Sequence, residues 1–142
     1  MKPVSHLLAG RQGSLRTVDA DASVYDALGL LAEHEVGALV VMAGERMVGV
    51  MSERDYTRKV ALAGRNSRET TVRDIMSAQV FVVTPKSTTH DCMALMREKR
   101  IRHLPVVDGE KVLGMVSIRD LMDDIIADHE VTIAQLESYI HS

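Results

Sequence analysis

Tryptophan is absent, phenylalanine occurs once, and aromatic residues make up 3% of the 142-residue chain. A surface that stacks single-stranded bases needs aromatic faces, so that class of function loses weight. Positive charge is not in excess either. Lys and Arg number 17 against 20 Asp and Glu, for a formal net charge of −3, whereas a general nucleic-acid binder should be basic. The single cysteine, Cys92, can form no internal disulfide and suits a reducing, cytoplasmic setting. No apolar run approaches the ~18 residues of a membrane span, and 1–10 lacks the apolar stretch of a signal peptide. Neither nucleic acid nor membrane is therefore expected as a partner. His6, His34, His90, His103, His129 and His141 show no ligand-type spacing, so no metal is expected. No catalytic residue is expected either, because no nearby histidine accompanies the candidate serines below.

The chain does hold a duplication. Aligning 36–55 with 101–120 gives eight identities: Leu39/Leu104, Val41/Val106, Gly44/Gly109, Glu45/Glu110, Gly49/Gly114, Ser52/Ser117, Arg54/Arg119 and Asp55/Asp120. Chance would give about one or two at ordinary residue frequencies. A hydrophobic content of 46% supports a packed core.

Each copy reads as strand, helix, strand, strand, helix. Thr17-Val18 begins a short strand, matched by Phe81-Val82-Val83. Ser23 and Asp26 then open a helix with Val24, Ala27, Leu28 and Leu31 on one face, and Thr88 and Asp91 open its counterpart. Cys92 lies on that second apolar stripe, which predicts a buried, inert thiol. Ala38 to Met42 and Met47 to Met51 predict a hairpin, as do Leu104 to Val107 and Val112 to Val116 with a turn at Asp108-Gly109. Helices follow from Ser52 to about Leu62 and from Ser117 to about Ala127. The lead-in Val4 to Leu8 matches Val72 to Met76 at an offset of 68, which puts three extra residues within 9–15. These features predict an α+β fold of two β-α-β-β-α repeats packed as a pseudo-two-fold pair. The boundaries are 4–63 for the first motif, 64–71 for a linker, 72–127 for the second motif, and 128–142 for a C-terminal helical tail. In that tail Ile133, Leu136 and Ile140 recur at helical spacing with no counterpart in the first copy, which predicts a homodimer contact.

Gly49-Val50-Met51-Ser52-Glu53-Arg54-Asp55 and Gly114-Met115-Val116-Ser117-Ile118-Arg119-Asp120 concentrate the polar residues. In one reading Ser and Asp only cap a helix. In the other, the hydroxyl and free N–H groups hold a phosphate, the carboxylate accepts from a ribose diol, and Gly49 lets a ligand approach the backbone. Charge separates the copies. From Glu53 to Arg68 five cations outnumber two carboxylates, for +3, and from Arg119 to Glu130 one cation meets five carboxylates, for −4. A di- or triphosphate or dinucleotide should therefore prefer the Asp55 side, where Arg54, Arg58 or Lys59 can meet it.

Val72-Arg73-Asp74-Ile75-Met76, Arg102-His103-Leu104-Pro105-Val106-Val107-Asp108 and the paired Gly-x-x-Ser-x-x-Asp stretches resemble a tandem pair of cystathionine-β-synthase (CBS) domains, a Bateman module. Ser52 to Tyr56 with Arg58-Lys59 is similar to the small stand-alone bacterial members. The resemblance implies a non-enzymatic sensor that binds AMP, ADP or ATP, with NAD or S-adenosylmethionine as further ligands, in clefts between the motifs. By position it makes Asp55 and Asp120 ribose acids, and Ser52 and Ser117 adjacent contacts, with Arg54 and Arg119 beside them. It makes Arg102-His103 a phosphate-facing pair next to Pro105, and it implies further cleft contacts from Val18, Ala38, Val83 and Thr84. Gly37-Ala38 and Val40 replace Arg102-His103 and Pro105 in the first copy, so the two clefts differ. Occupancy would pass to a second copy or to an effector protein. The alternatives are an adaptor dimer with empty clefts and a small nucleotide-processing enzyme.

Overall fold

The computed structural model describes residues 2–9 and 15–141, Tyr139 and His141 through their backbone. The expected extra residues within 9–15 lie mostly outside that range. In chain order the elements are α1 (Val4–Ala9), β1 (Thr17–Asp19), α2 (Val24–His34), β2 (Ala38–Ala43), β3 (Arg46–Ser52), α3 (Glu53–Tyr56), α4 (Val72–Ile75), α5 (Thr89–Lys99), β4 (His103–Asp108), β5 (Lys111–Ser117) and α6 (Ile118–His141). This is the α+β pair of repeats expected from the duplication.

Strand alternation builds the core. In β2, Leu39 and Val41 face one way, into a cluster with Val24, Ala27 and Leu31 of α2. Ala38 and Val40 face the other way, against Val112 and Met115 of the second repeat. With side chains alternating at period two, one face of each hairpin packs on its own helices and the other packs on its twin. Both hairpins carry a register shift at the same place, between Val41 and Met42 and between Val106 and Val107. Each turns through Gly-Glu with the glycine at φ 62, at Gly44 and Gly109. The second turn thus centres on Gly109-Glu110, one residue later than expected, because only glycine takes that backbone cheaply.

The short lead-in helices are exchanged between the lobes. Val4 of α1 lies in the core of the second repeat with Val83, Cys92 and Leu104, and its N–H donates to the Ser87 carbonyl at 2.7 Å. Val72 and Ile75 of α4 lie in the core of the first repeat, and the Val72 N–H donates to the Ala22 carbonyl at 2.9 Å. The packing units therefore cross the 4–63 and 72–127 boundaries read from the sequence.

Three further elements differ from expectation. The strand expected at 81–83 is a single parallel bridge, Val83 to Val106, where β1 makes a full ladder to β2. In the first repeat the Val40 N–H donates to the Arg16 carbonyl at 3.0 Å; Pro105 stands at the Val40 position and has no N–H to give. The helix expected from Ser52 to Leu62 is α only to Tyr56 and continues as one π-helical turn, Thr57–Ala61. The expected tail is no separate element, because α6 runs unbroken through 24 residues. No helix among the described residues is long and apolar enough to cross a membrane.

Candidate functional site

Strand β3 delivers Ser52 to the start of α3, and Ser52 and Asp55 cap it reciprocally. The Asp55 N–H donates to Ser52 Oγ at 3.2 Å, while Asp55 Oδ2 accepts from the Ser52 N–H at 2.9 Å and from its hydroxyl at 3.1 Å. The second repeat reproduces the motif. Asp120 Oδ2 accepts from the Ser117 N–H at 2.7 Å, and the Asp120 N–H donates to Ser117 Oγ at 3.2 Å. Capping is thus realised in both copies. It leaves Asp55 Oδ1 for other partners. Lys59 Nζ stands 3.1 Å from it, and the Ser77 hydroxyl donates to it across 3.5 Å. Lys59 also donates to the Ile75 carbonyl at 2.9 Å, so this lysine ties the π-helical turn to α4 and is not a free cation.

Ser52 and Asp55 line a cleft of about 1160 Å³ between the repeats. Its apolar lining includes Val50, Val80, Phe81, Ile101 and Pro105, and six cations, Arg54, Arg58, Lys59, Lys99, Arg100 and Arg102, stand against Glu53 and Asp55. Lys99 Nζ lies 4.9 Å from the centre of the Phe81 ring, which joins α5 to the 77–81 segment. His103 lines the same cleft and packs on Gly37, where an added Cβ would stand 3.3 Å from its Cε1 and Nε2. Burial pushes the His103 pKa down; the Asp120 charge opposes this and the Arg102 charge adds to it. The shift favours the neutral imidazole.

The structure gathers Ser52, Arg54, Asp55, Arg58, Lys59, Arg102, His103 and Pro105 around one cleft. Ser117, Arg119 and Asp120 occupy the equivalent place in the second repeat. The positions that match 77–81 at the offset of 68 are 9–13, of which 10–13 lie outside the described residues. Four expected contacts do not line the Asp55 cleft. Val18 and Val83 lie in the two helical cores and Ala38 in the core between the repeats. Thr84 serves a turn, its N–H donating to Ser87 Oγ at 3.1 Å. Sequence reasoning missed the 77–81 wall, although it directly follows the recognised Val72 to Met76 stretch. Gly49 also has a different reason from the one expected. A Cβ there would meet Met76 Sδ at 2.7 Å and the Ser77 carbonyl oxygen at 2.9 Å, so the chain itself, not a ligand, makes the close approach.

Among the described residues no group of three or more His, Cys, Asp or Glu could hold a metal ion. Cys92 is fully buried, and burial, aided by the Asp91 charge, pushes its thiol up to about 11.

The sequence profile of the CBS domain matches residues 12–62 and 72–127. The chain is 40% identical over 133 residues to the CBS domain-containing protein CBSX3, mitochondrial, of Arabidopsis thaliana, covering 90% of this chain and 65% of that protein. It thus spans just under two thirds of that relative's length. It is 30% identical over 105 residues to the CBS domain-containing protein YhcV of Bacillus subtilis, covering 74% of each. The solved structure of a putative signal-transduction protein with CBS domains from Burkholderia ambifaria superposes with a TM-score of 0.86 at 46% identity, covering 89% of this chain and 96% of that one.

Proposed function

The chain belongs to the CBS domain family, and from that premise we propose that it is a non-enzymatic regulatory module that binds an adenine nucleotide in the Asp55 cleft. The observation that carries this reading is the Asp55 carboxylate, set with Glu53 among six cations in one cleft. Among the described residues Asp55 Oδ1 meets Lys59 and the long Ser77 contact, and both can yield to a ribose diol. Arg54, Arg58 and Arg102 make no ion pair among the described residues and can take up phosphate charge. Phe81, Val80, Ile101 and Pro105 supply apolar walls for a base, and the volume suits a ligand of nucleotide size. An enzyme would need a base or a metal beside Ser52, and the nearest histidine of the cleft, His103, is committed against Gly37.

Occupancy passes to a second copy of the chain. Beyond Asp128 the helix α6 leaves the body, and Ile133, Leu136 and Ile140 on it are 54%, 58% and 75% exposed. An isolated helical segment of this length is marginal in water, so an apolar stripe on it favours a partner.

A thermal-shift series with AMP, ATP, NAD and S-adenosylmethionine tests the nucleotide reading. A ligand at ~1,000 times its Kd adds roughly 4 kcal/mol of stability. No shift with any of the four would overturn it and favour an adaptor with empty clefts.

A further inference from the structure

A second cavity, of about 670 Å³, shares Arg54, Arg100, Ile101 and Arg102 with the Asp55 cleft and adds Arg97 from the last turn of α5. Four guanidinium groups line it and no carboxylate does. None of the four has an ion pair among the described residues.

The other repeat supplies an internal control. At the offset of 65, Arg97, Arg100 and Arg102 correspond to Ala32, Glu35 and Gly37. The two helix ends have the same backbone. Glu35 and Arg100 each end a helix in the left-handed region, at φ 53 and ψ 44 and at φ 55 and ψ 45. The fold thus does not ask for arginine here. A helix C-terminus does favour cations, but α2 ends in the same geometry with Ala32 and Glu35. Arg97, Arg100 and Arg102 are thus a property of one cavity and not of the repeat, whereas Arg54 recurs as Arg119.

Resting on the nucleotide reading above, we propose that this cavity is a polyphosphate subsite: a nucleotide seated at Asp55 runs its outer phosphates past Arg54 and Arg102 into reach of Arg97 and Arg100. Guanidinium forks match phosphate oxygens two at a time, and a chain of several charges is what four unpaired cations without a carboxylate select. The ligand class is therefore a nucleoside di- or triphosphate in preference to a monophosphate.

Arg97 lies outside the Asp55 cleft, and the first repeat folds with alanine in its place, so Arg97→Ala and the charge reversal Arg97→Glu are the variants to use. Calorimetry is run with AMP, ATP and inorganic tripolyphosphate at low and high salt. The expected result is an unchanged AMP affinity, an ATP affinity lowered about tenfold by Arg97→Ala, as for loss of one charge-assisted contact, and a larger loss in Arg97→Glu that shrinks as salt screens it. Unchanged ATP affinity, or equal losses for AMP and ATP, would overturn the subsite. If the wild-type chain binds tripolyphosphate, and Arg97→Glu weakens it, but no adenosine nucleotide binds, the subsite stands and the nucleotide reading falls. If neither tripolyphosphate nor nucleotide binds, both fall.

Discussion

Gly49→Ala should be far more damaging than a surface alanine. The added Cβ would stand 2.7 Å from Met76 Sδ, 3.0 Å from Met76 Cγ and 2.9 Å from the Ser77 carbonyl oxygen. The methionine tip can move aside. The carbonyl cannot, because Ser77 is bridged to the next residue of the strand: its oxygen accepts from the Val50 N–H at 3.1 Å and its N–H donates to the Val50 carbonyl at 2.9 Å. Overpacking costs about 1–3 kcal/mol, and loss of one of those two hydrogen bonds adds about 1 kcal/mol. The sum of about 2–4 kcal/mol corresponds to a fall in Tm of roughly 5–15 °C for a chain of this size. Differential scanning calorimetry measures it. Because Ser77 also reaches Asp55 Oδ1, ligand affinity should fall with stability. Met76→Ala in the same chain should restore only part of the loss, since the backbone contact remains. A loss under about 0.5 kcal/mol would refute the close approach as the reason for glycine.

The remaining predictions concern charge, assembly and the thiol. His103 has a depressed pKa in the folded chain, so the unfolded state binds more protons as pH drops below 6.5, and stability is lost on acidification through that region. A phosphate beside His103 raises its pKa, so nucleotide binding should take up a proton and tighten on acidification; calorimetry in buffers of different ionisation enthalpy reads this, and His103→Gln should abolish it. Truncation after Ala127 should halve the mass seen by light scattering and leave the lobes folded. Among the described residues the ion pair it removes is Lys2–Asp128, at 3.1 Å and exposed, which is worth little. An unchanged mass would show that α6 beyond Ala127 takes no part in assembly. Cys92, with its thiol at about 11 and its side chain buried, should react with iodoacetamide only at the rate of global unfolding; faster labelling would mean a looser second core.

The duplication made much of this legible. Gly44 and Gly109 marked both turns, and Ser52, Ser117 and Thr88 marked helix starts that the structure realises as caps. Local signals carried those because each is written within a few residues. The features that were not legible depend on distant partners. Nothing within Val4 to Leu8 says that it completes the second lobe, or within Val72 to Met76 that it completes the first. Gly49 looked like a gap for a ligand because the segment that fills it, Met76-Ser77, comes 27 residues later. The strand expected at 81–83 was misjudged because Pro105 has no N–H for the bond that Val40 gives Arg16 in the first repeat, which leaves a single bridge at Val83. For the site, the acids and basic residues near Ser52 were readable as a motif, whereas the 77–81 wall and the place of His103 over Gly37 follow only from how the lobes pack. Val18, Val83 and Ala38 were placed in the cleft by analogy, and they lie in the packed cores instead.

The central claim is that the Asp55 cleft holds the nucleotide, and titration calorimetry of ATP into the wild-type chain, Asp55→Ala and Asp120→Ala tests it most directly, with circular dichroism confirming that each remains folded. The wild-type chain should bind. Asp55→Ala should lose about tenfold or more in affinity, as for a charge-assisted contact, and Asp120→Ala less, because the helix that follows Asp120 adds Asp123, Asp124 and Asp128 where the helix after Asp55 adds Arg58 and Lys59. Equal losses, a larger loss from Asp120→Ala, or no binding by the wild-type chain would contradict it.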